Sequence, residues 1–149
     1  MSVICPDTGV IVEYANLDGL FHNEAQAVFQ SVIAGKLNVV IPHPILAETY
    51  YVSVRIYKTL GFDDFTKRAK KLVQWLYSAP NISLAEPSLE LAIHAGEIKD
   101  RFGISMMDSY VLAASRISRG KAVFRTEESE MKKKLGDLRK RFDVVFLGT

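Results

Sequence analysis

The sequence predicts a three-layer α/β/α sandwich built around a central parallel β-sheet. Short apolar segments alternate along the chain with segments of helical periodicity, and this alternation is typical of parallel strands joined by helical crossovers. The chain has 149 residues, which is the usual size of one domain. No repeat, low-complexity tract or Gly/Ser linker interrupts it. We therefore expect a single domain over residues 1–149.

Five short segments are predicted to form the strands of this sheet. Each is apolar, contains β-branched or aromatic residues and is bounded by turn-forming or helix-breaking residues. The segments are 2–5, 38–41, 81–84, 121–124 and 143–147. Their apolar character is that of buried strands.

Four segments between the strands have the apolar spacing of helices. In the first two segments, apolar residues recur at intervals of three or four: Leu46, Tyr50, Val54, Tyr57 and Leu60, and then Phe65, Ala69, Leu72 and Leu76. Gly61 and the residues after it separate these two helices. The third helix is predicted over 88–102 and the fourth over 106–117, with Gly103 and Gly120 marking their ends.

Composition excludes several classes of protein. The single cysteine, Cys5, rules out an intrachain disulfide, and the three histidines lack the paired spacing of zinc ligands. The first residues lack the cationic flank and apolar stretch of a signal peptide. No segment reaches the roughly 18 uninterrupted apolar residues that a membrane span needs. These features favour a cytoplasmic protein that does not associate with membranes.

The net charge of +2 is unevenly distributed along the chain. Residues 116–141 contain ten Lys and Arg against four Asp and Glu, a local charge of +6, so the remainder carries −4. A basic region beside a more acidic body can attract a polyanion and leave carboxylates available for another task.

Four acidic residues are predicted to lie at the edge where the strands end. Asp7 follows the first strand, Glu48 is placed in the first turn of the helix after the second strand, and Glu128 follows the fourth strand. Asp108 comes three residues after Ser105, the spacing of a capping box. Each acid alone is explained by helix capping or by the helix dipole.

Helix capping does not require these acids to converge, whereas the carboxyl ends of parallel strands share one edge of the sheet. Crowded carboxylates repel one another unless a cation neutralises them. A site made only of oxygen ligands suits Mg²⁺ or Mn²⁺, and such an ion can activate water against a phosphodiester. The sequence thus indicates a hydrolytic metal site at this edge.

Four motifs in the same order resemble those of a known family, the PIN domains, and among them the VapC-like toxins. An opening strand that ends in Asp-Thr leads to a Glu on a helix, and later an Asp-headed helix precedes a strand that ends in Thr and acids. The corresponding segments are VICPDTGVI at 3–11, IPHPILAE at 41–48, ISMMDSYVLAAS at 104–115 and AVFRTEE at 122–128. Together they span nearly the whole chain.

This resemblance implies a ribonuclease that depends on Mg²⁺ or Mn²⁺. The family's catalytic, metal-binding acids correspond to Asp7, Glu48, Asp108 and Glu128, with Thr8 and Thr126 in supporting positions. In the family, Asp7 and Asp108 would hold the metal most directly and Glu48 would assist. The fourth acid departs from the pattern, because Glu replaces the usual Asp and the adjacent Glu127 leaves its register open. Asp100, on the preceding helix, is a further candidate for the site, and a surface acid is the favoured interpretation of it.

RNA contact is expected from basic residues around the crevice. Arg116, Arg119 and Arg125 lie near the fourth strand, and lysines follow at 132–134. Phosphate contacts give affinity without sequence information, so the chain does not specify which RNA is bound.

The resemblance also implies a homodimer and an antitoxin protein as partner. Several aromatic residues exceed what one buried stripe uses and are candidates for such an interface, where aromatics are enriched. They are Tyr50, Tyr51, Tyr57, Trp75 and Tyr77.

Three alternatives differ from a PIN-like nuclease. A haloacid-dehalogenase-like phosphatase requires a second Asp two residues after Asp7, where Gly9 stands. A response-regulator receiver places its phosphorylated Asp after a middle strand rather than the first. The remaining alternative, motivated by the altered fourth acid, is a catalytically weakened PIN-like module that binds RNA or a protein.

Overall fold

The structure, a computed structural model, describes residues 2–127 and 129–148. Within these residues the chain forms five strands and seven helices. The order is β1 (Ser2–Pro6), α1 (Thr8–Ala15), α2 (His22–Ile33), β2 (Leu37–Pro42), α3 (His43–Thr59), α4 (Phe65–Ser78), β3 (Ile82–Ala85), α5 (Leu89–Phe102), α6 (Met106–Ile117), β4 (Lys121–Phe124), α7 (Ser129–Arg139) and β5 (Val144–Phe146).

The five strands form one parallel sheet in the order β3-β2-β1-β4-β5. On one side of β1, Ile4 pairs with Val39 of β2, and on the other side Cys5 pairs with Ala122 of β4. Connections up to β3 run in one direction across the sheet, and the later ones run in the reverse direction. Right-handed crossovers therefore place α1–α4 on one face and α5–α7 on the other. The predicted three-layer sandwich is confirmed.

The five strands and four helices predicted from the sequence all form, with ends shifted by at most a few residues. Three further helices, α1, α2 and α7, were not predicted. In α1, Val10, Ile11 and Val12 are all buried, so no amphipathic period is visible. In α2, by contrast, buried residues recur at helical spacing, as Ala25, Phe29 and Val32, and this pattern was available in the sequence.

An aromatic cluster on the α1–α4 face packs three helices together. Phe29 of α2 is fully buried, and its ring stacks on Tyr14 of α1 with centroids 4.7 Å apart. Trp75 of α4 completes the cluster at 5.9 Å from Phe29 and 5.7 Å from Tyr14. Trp75 therefore contributes to packing, and part of its side chain stays exposed.

Two of the remaining aromatic candidates are strongly exposed. Tyr51 on α3 is 59% exposed and Tyr77 on α4 is 67% exposed, whereas Tyr57 packs edge-on against Phe62.

Within the described residues, no helix combines the length and apolar character that crossing a membrane requires.

The single cysteine lies in the centre of the sheet, and we expect it to be chemically inert in the native state. Burial raises the pKa of the Cys5 thiol to about 11, although a contact between its sulfur and the Ser118 hydroxyl opposes that shift. The reactive species is the thiolate, so Cys5 should react with a disulfide reagent at pH 8 only after unfolding in urea. Fast labelling of the native protein would contradict this placement.

The same shift makes stability depend on pH in the alkaline range. Because the folded protein keeps this proton more tightly than the unfolded chain, stability is unaffected below the ordinary thiol pKa of 9.0 and falls as the pH rises towards the raised pKa of about 11.

Candidate active site

An open cleft of about 550 Å³ lies at the edge of the sheet where β1 and β4 end. This is the point at which the direction of the crossovers reverses, and ligands of open α/β sheets bind at such switch points. The cleft is bordered by the first turns of α1 and α6 and by α3. Its polar lining consists of Asp7, Thr8, Glu13, Asn16, Glu48, Ser105, Asp108, Arg125 and Thr126.

Asp7 is held in the cleft by three features of the backbone. It follows β1 in an extended conformation and is the N-cap of α1, with its Oδ1 accepting a hydrogen bond from the Val10 amide at 2.9 Å. Its own amide donates to the Val123 carbonyl of β4 at 2.9 Å. The N-terminal end of a helix also favours a negative charge. These contacts fix the position of Asp7 on the wall of the cleft.

Asp108 occupies the first turn of α6, as predicted. Ser105 is the N-cap of this helix, and its Oγ accepts a hydrogen bond from the Asp108 amide at 3.1 Å. The Ser109 hydroxyl in turn donates to the Ser105 carbonyl at 2.8 Å. These contacts fix the start of α6 and direct the Asp108 carboxylate to the cleft that Asp7 also lines.

Glu48 reaches the same cleft from a different helical turn than predicted. The helix α3 begins at His43 with Pro42 as its N-cap, so Pro44 occupies its second position and Glu48 lies in the second turn. The prediction of a first-turn position was wrong, because even in a helix that starts at Pro44 the fifth residue, Glu48, lies beyond the 3.6 residues of one turn. Glu48 nevertheless lines the cleft beside Ile45 and Val52.

The acids bring only oxygen ligands to the cleft, and this donor set fits Mg²⁺ or Mn²⁺. Among residues 2–127 and 129–148, however, no three His, Cys, Asp or Glu side chains form a ready-made metal cage. An ion held by one or two carboxylates that retains several waters matches this arrangement, as is usual for Mg²⁺. The fourth predicted acid, Glu128, lies outside the described residues.

The two predicted supporting threonines also line the cleft. The Thr8 hydroxyl is buried and has no hydrogen-bond partner among the described residues. Thr126 is half-buried and follows β4. Glu127, the alternative for the fourth acid, is half-buried but does not line the cleft.

A buried ion pair at the cleft was not anticipated from the sequence. Glu13 of α1 accepts a hydrogen bond from the Arg125 Nε at 2.5 Å, and its other oxygen accepts one from the Phe21 amide at 3.1 Å. Its side chain is only 6% exposed, against 38% for Arg125. The available signal was an acid within an otherwise apolar stretch, Val10 to Tyr14, because buried acids require partners.

Only one of the three arginines predicted to contact RNA around the crevice lies in the cleft. Arg125 lines it, whereas Arg116 borders a separate hollow and lies over the Phe142 ring. Arg116 is near the far end of α6, about 12 Å along the axis from Asp108. Arg119 lies beyond that helix, in the turn that leads to β4, with a positive φ of 57°. Their placement at the crevice was wrong because α6 carries them to the opposite edge of the sheet.

The fold and the cleft together define an α/β protein with an acidic site at the switch point of an all-parallel sheet. The model of the PIN domain matches residues 4–134, and the chain belongs to the PIN domain family. The resemblance stated from the four motifs is thereby confirmed. No curated protein sequence matches the chain.

Solved structures share this fold at low sequence identity. VapC20 of Mycobacterium tuberculosis, a toxin that cleaves the sarcin–ricin loop, is 16% identical with a TM-score of 0.64 over 87% of this chain and 93% of that one. A toxin–antitoxin complex from Klebsiella pneumoniae is 14% identical, with a TM-score of 0.60 over 99% and 98%. VapBC2 of Rickettsia felis, bound to a DNA fragment from its promoter, is 13% identical, with a TM-score of 0.61 over 88% and 92%. At these identities the likeness establishes the fold alone.

Proposed function

We propose that the protein is a divalent-metal-dependent endoribonuclease and the toxin of a VapBC-type toxin–antitoxin pair. The observation that carries this proposal is the meeting of Asp7, Glu48 and Asp108 in one cleft of a PIN domain. These acids come from three separate elements. Helix capping accounts for Asp7 and a first-turn position for Asp108, but neither accounts for Glu48 in the second turn of α3 or for the convergence of the three.

We assign a role in metal binding to each of the four acids and a supporting role to two threonines. Asp7 and Asp108 would hold a Mg²⁺ or Mn²⁺ ion most directly, Glu48 would assist, and Glu128 is the candidate for the fourth acid. When bound, such an ion activates water and offsets the charge that builds up on a phosphodiester. Thr8 and Thr126 support the acids from the ends of β1 and β4.

The chain itself orients the site before any substrate arrives. The capping bond from Val10 restricts the Asp7 side chain, and the Ser105 cap fixes the turn that carries Asp108. Groups that are positioned in advance lose little freedom on binding, which favours the reaction. Arg125 supplies positive charge to a cleft otherwise lined by carboxylates, where RNA phosphates would be repelled.

An antitoxin protein and a second copy of the chain are the proposed partners. Two of the solved neighbours, from K. pneumoniae and R. felis, are toxin–antitoxin proteins. Tyr51 and Tyr77 are exposed on adjacent helices, and exposed aromatic side chains are enriched at protein interfaces.

The proposal is tested by incubating end-labelled single-stranded RNA with the purified protein at low salt. We expect cleavage with Mg²⁺ or Mn²⁺ and none with a chelator, because without the ion the attacking water is not activated and the charge on the phosphodiester is not offset. Restoration of cleavage on adding back the metal ion controls for damage by the chelator.

A different result would favour the non-catalytic alternative. The lack of a three-acid cage among the described residues and the Glu in place of the fourth Asp are the observations on its side. A folded protein that binds a panel of RNAs but cuts none of them with either metal would favour a PIN-like binding module.

A further inference from the structure

We propose that Glu13 is a positioning residue, which holds Arg125 on the wall of the cleft so that its guanidinium binds a phosphate of the RNA. The inference rests on the proposed function, since it assumes that RNA occupies this cleft. It assigns to Glu13 a role in substrate binding that a buried acid on α1 does not suggest by itself.

The ion pair with Glu13 does not involve the two terminal nitrogens of Arg125, which are the atoms that would bind a phosphate. Glu13 contacts the Nε of Arg125, which is one of the five N–H donors of a guanidinium. The four donors on Nη1 and Nη2 lie outside this contact, and they have the fork geometry that matches a phosphate. The Glu13 side chain is only 6% exposed, whereas the Arg125 side chain is 38% exposed, and Arg125 lines the cleft.

Neighbouring groups restrict both partners of the pair. A Cβ added at Gly9 would lie 2.9 Å from the Arg125 Cβ, and one added at Gly19 would lie 2.1 Å from the Glu13 Oε2. The Phe21 ring lies 5.2 Å from the Arg125 guanidinium carbon. Two close backbone approaches and an aromatic ring therefore hold the pair in one arrangement.

This restriction has a consequence for binding. A free arginine side chain loses much rotamer freedom when it grips a phosphate, whereas one already held by a carboxylate has lost that freedom on folding. Arg125 also lies close to Asp7, since a Cβ added at Gly9 would be 2.9 Å from the Arg125 Cβ and 3.4 Å from the Asp7 Oδ1. A guanidinium fixed there would place a phosphate next to the acids rather than elsewhere on the surface.

The test measures RNA affinity apart from cleavage. In an Asp108→Asn background with Mg²⁺, fluorescence anisotropy follows binding of a short fluorescein-labelled single-stranded RNA. Arg125→Gln should weaken binding about tenfold and reduce the slope of log affinity against log salt by about 0.7. Glu13→Gln keeps the size of the side chain and an acceptor for the Phe21 amide, and should weaken binding several-fold through Arg125.

The double variant separates positioning from a purely structural role. If Glu13 acts through Arg125, then Glu13→Gln combined with Arg125→Gln should bind no more weakly than Arg125→Gln alone. Effects that multiply in the double variant would overturn the proposal, as would an Arg125→Gln protein that binds like its parent. A parent that does not bind RNA would overturn it as well.

Arg68 provides a matched control for charge and environment. It pairs with Asp64 at 2.8 Å and lies 3.8 Å from the Phe62 ring centre, but it is on α4 and does not line the cleft. Arg68→Gln removes the same charge and should change the RNA affinity far less than Arg125→Gln. An equal loss in both variants would indicate general electrostatic attraction and overturn the proposal.

A further variant covers the case in which Glu13→Gln does not fold, as judged by thermal unfolding. Arg125→Lys keeps the charge and removes the fork, and should bind more weakly than the parent; equal binding would overturn positioning of the guanidinium. Cleavage by the wild-type protein is scored separately. If the wild-type protein cleaves RNA with the metal ion but Arg125→Gln leaves the RNA affinity unchanged, this inference alone is refuted. If RNA affinity depends on Arg125 but no RNA is cleaved, only the proposed nuclease activity is refuted.

Discussion

Replacement of Asp108 by Asn is expected to abolish RNA cleavage while leaving the fold intact. The amide keeps the shape of the side chain but removes the negative charge that would hold a divalent ion. The backbone amide that bonds to the Ser105 hydroxyl is unchanged by the substitution. We expect the cleavage rate to fall at least about a hundredfold, equivalent to roughly 2.7 kcal/mol of lost transition-state stabilisation. The measurement is the initial rate on end-labelled RNA with saturating Mg²⁺.

Asp7→Asn should have an effect of the same size, because Asn remains a good N-cap for α1 and only the charge is lost. Asp100→Asn is the matched control. Asp100 is exposed on α5 and borders a hollow outside the cleft, so its replacement should leave the rate within about twofold, as for other surface substitutions. Unchanged turnover in Asp108→Asn would refute its role as a metal ligand.

Replacement of Phe29 by Ala is expected to lower the free energy of unfolding by about 3–5 kcal/mol. Phe29 is fully buried, stacks on Tyr14 and packs at a tilted angle against Trp75, so the truncation leaves a cavity where three helices meet. Since domains of this kind are stable by about 5–15 kcal/mol in total, the loss is a large fraction. Urea unfolding followed by circular dichroism measures it.

Gln74→Ala is the control for this stability prediction, since Gln74 is exposed on the same helix as Trp75 and belongs to no proposed interface. Its replacement should change the free energy of unfolding by less than about 0.5 kcal/mol. If Phe29→Ala lost no more than Gln74→Ala, then the aromatic cluster would not be what packs α1, α2 and α4 together.

The sheet was predictable because its five strands carry their own signal. A strand buried on both faces is continuously apolar. Breaker residues mark the ends of such strands, as Pro6 does at the end of β1 and Gly120 before β4. Helices with one buried stripe were predictable for a similar reason. The helix α1 was not, because a short helix that is buried nearly all round has no stripe to detect.

The candidate site was predictable only where topology alone decides position. Asp7 follows a strand directly, and the carboxyl ends of parallel strands share an edge, so its place in the cleft followed from the strand prediction. Arg116 and Arg119 are near β4 in sequence but precede it. They therefore lie at the opposite end of the strand from the cleft. The partnership of Glu13 with Arg125 joins residues 112 positions apart, and no local pattern specifies such a pair.

The pairing of β1 with β4 also determines when the cleft can exist during protein synthesis. Ile4 is aligned with Lys121, and the Asp7 amide is bonded to the Val123 carbonyl, so the first strand stays without one neighbour until β4 has been translated. Contacts between residues so far apart in sequence slow folding. A nascent chain therefore has Asp7 long before it has the wall that carries Arg125 and Thr126. The cleft can be completed only after the ribosome has released β4 and the two residues that follow it.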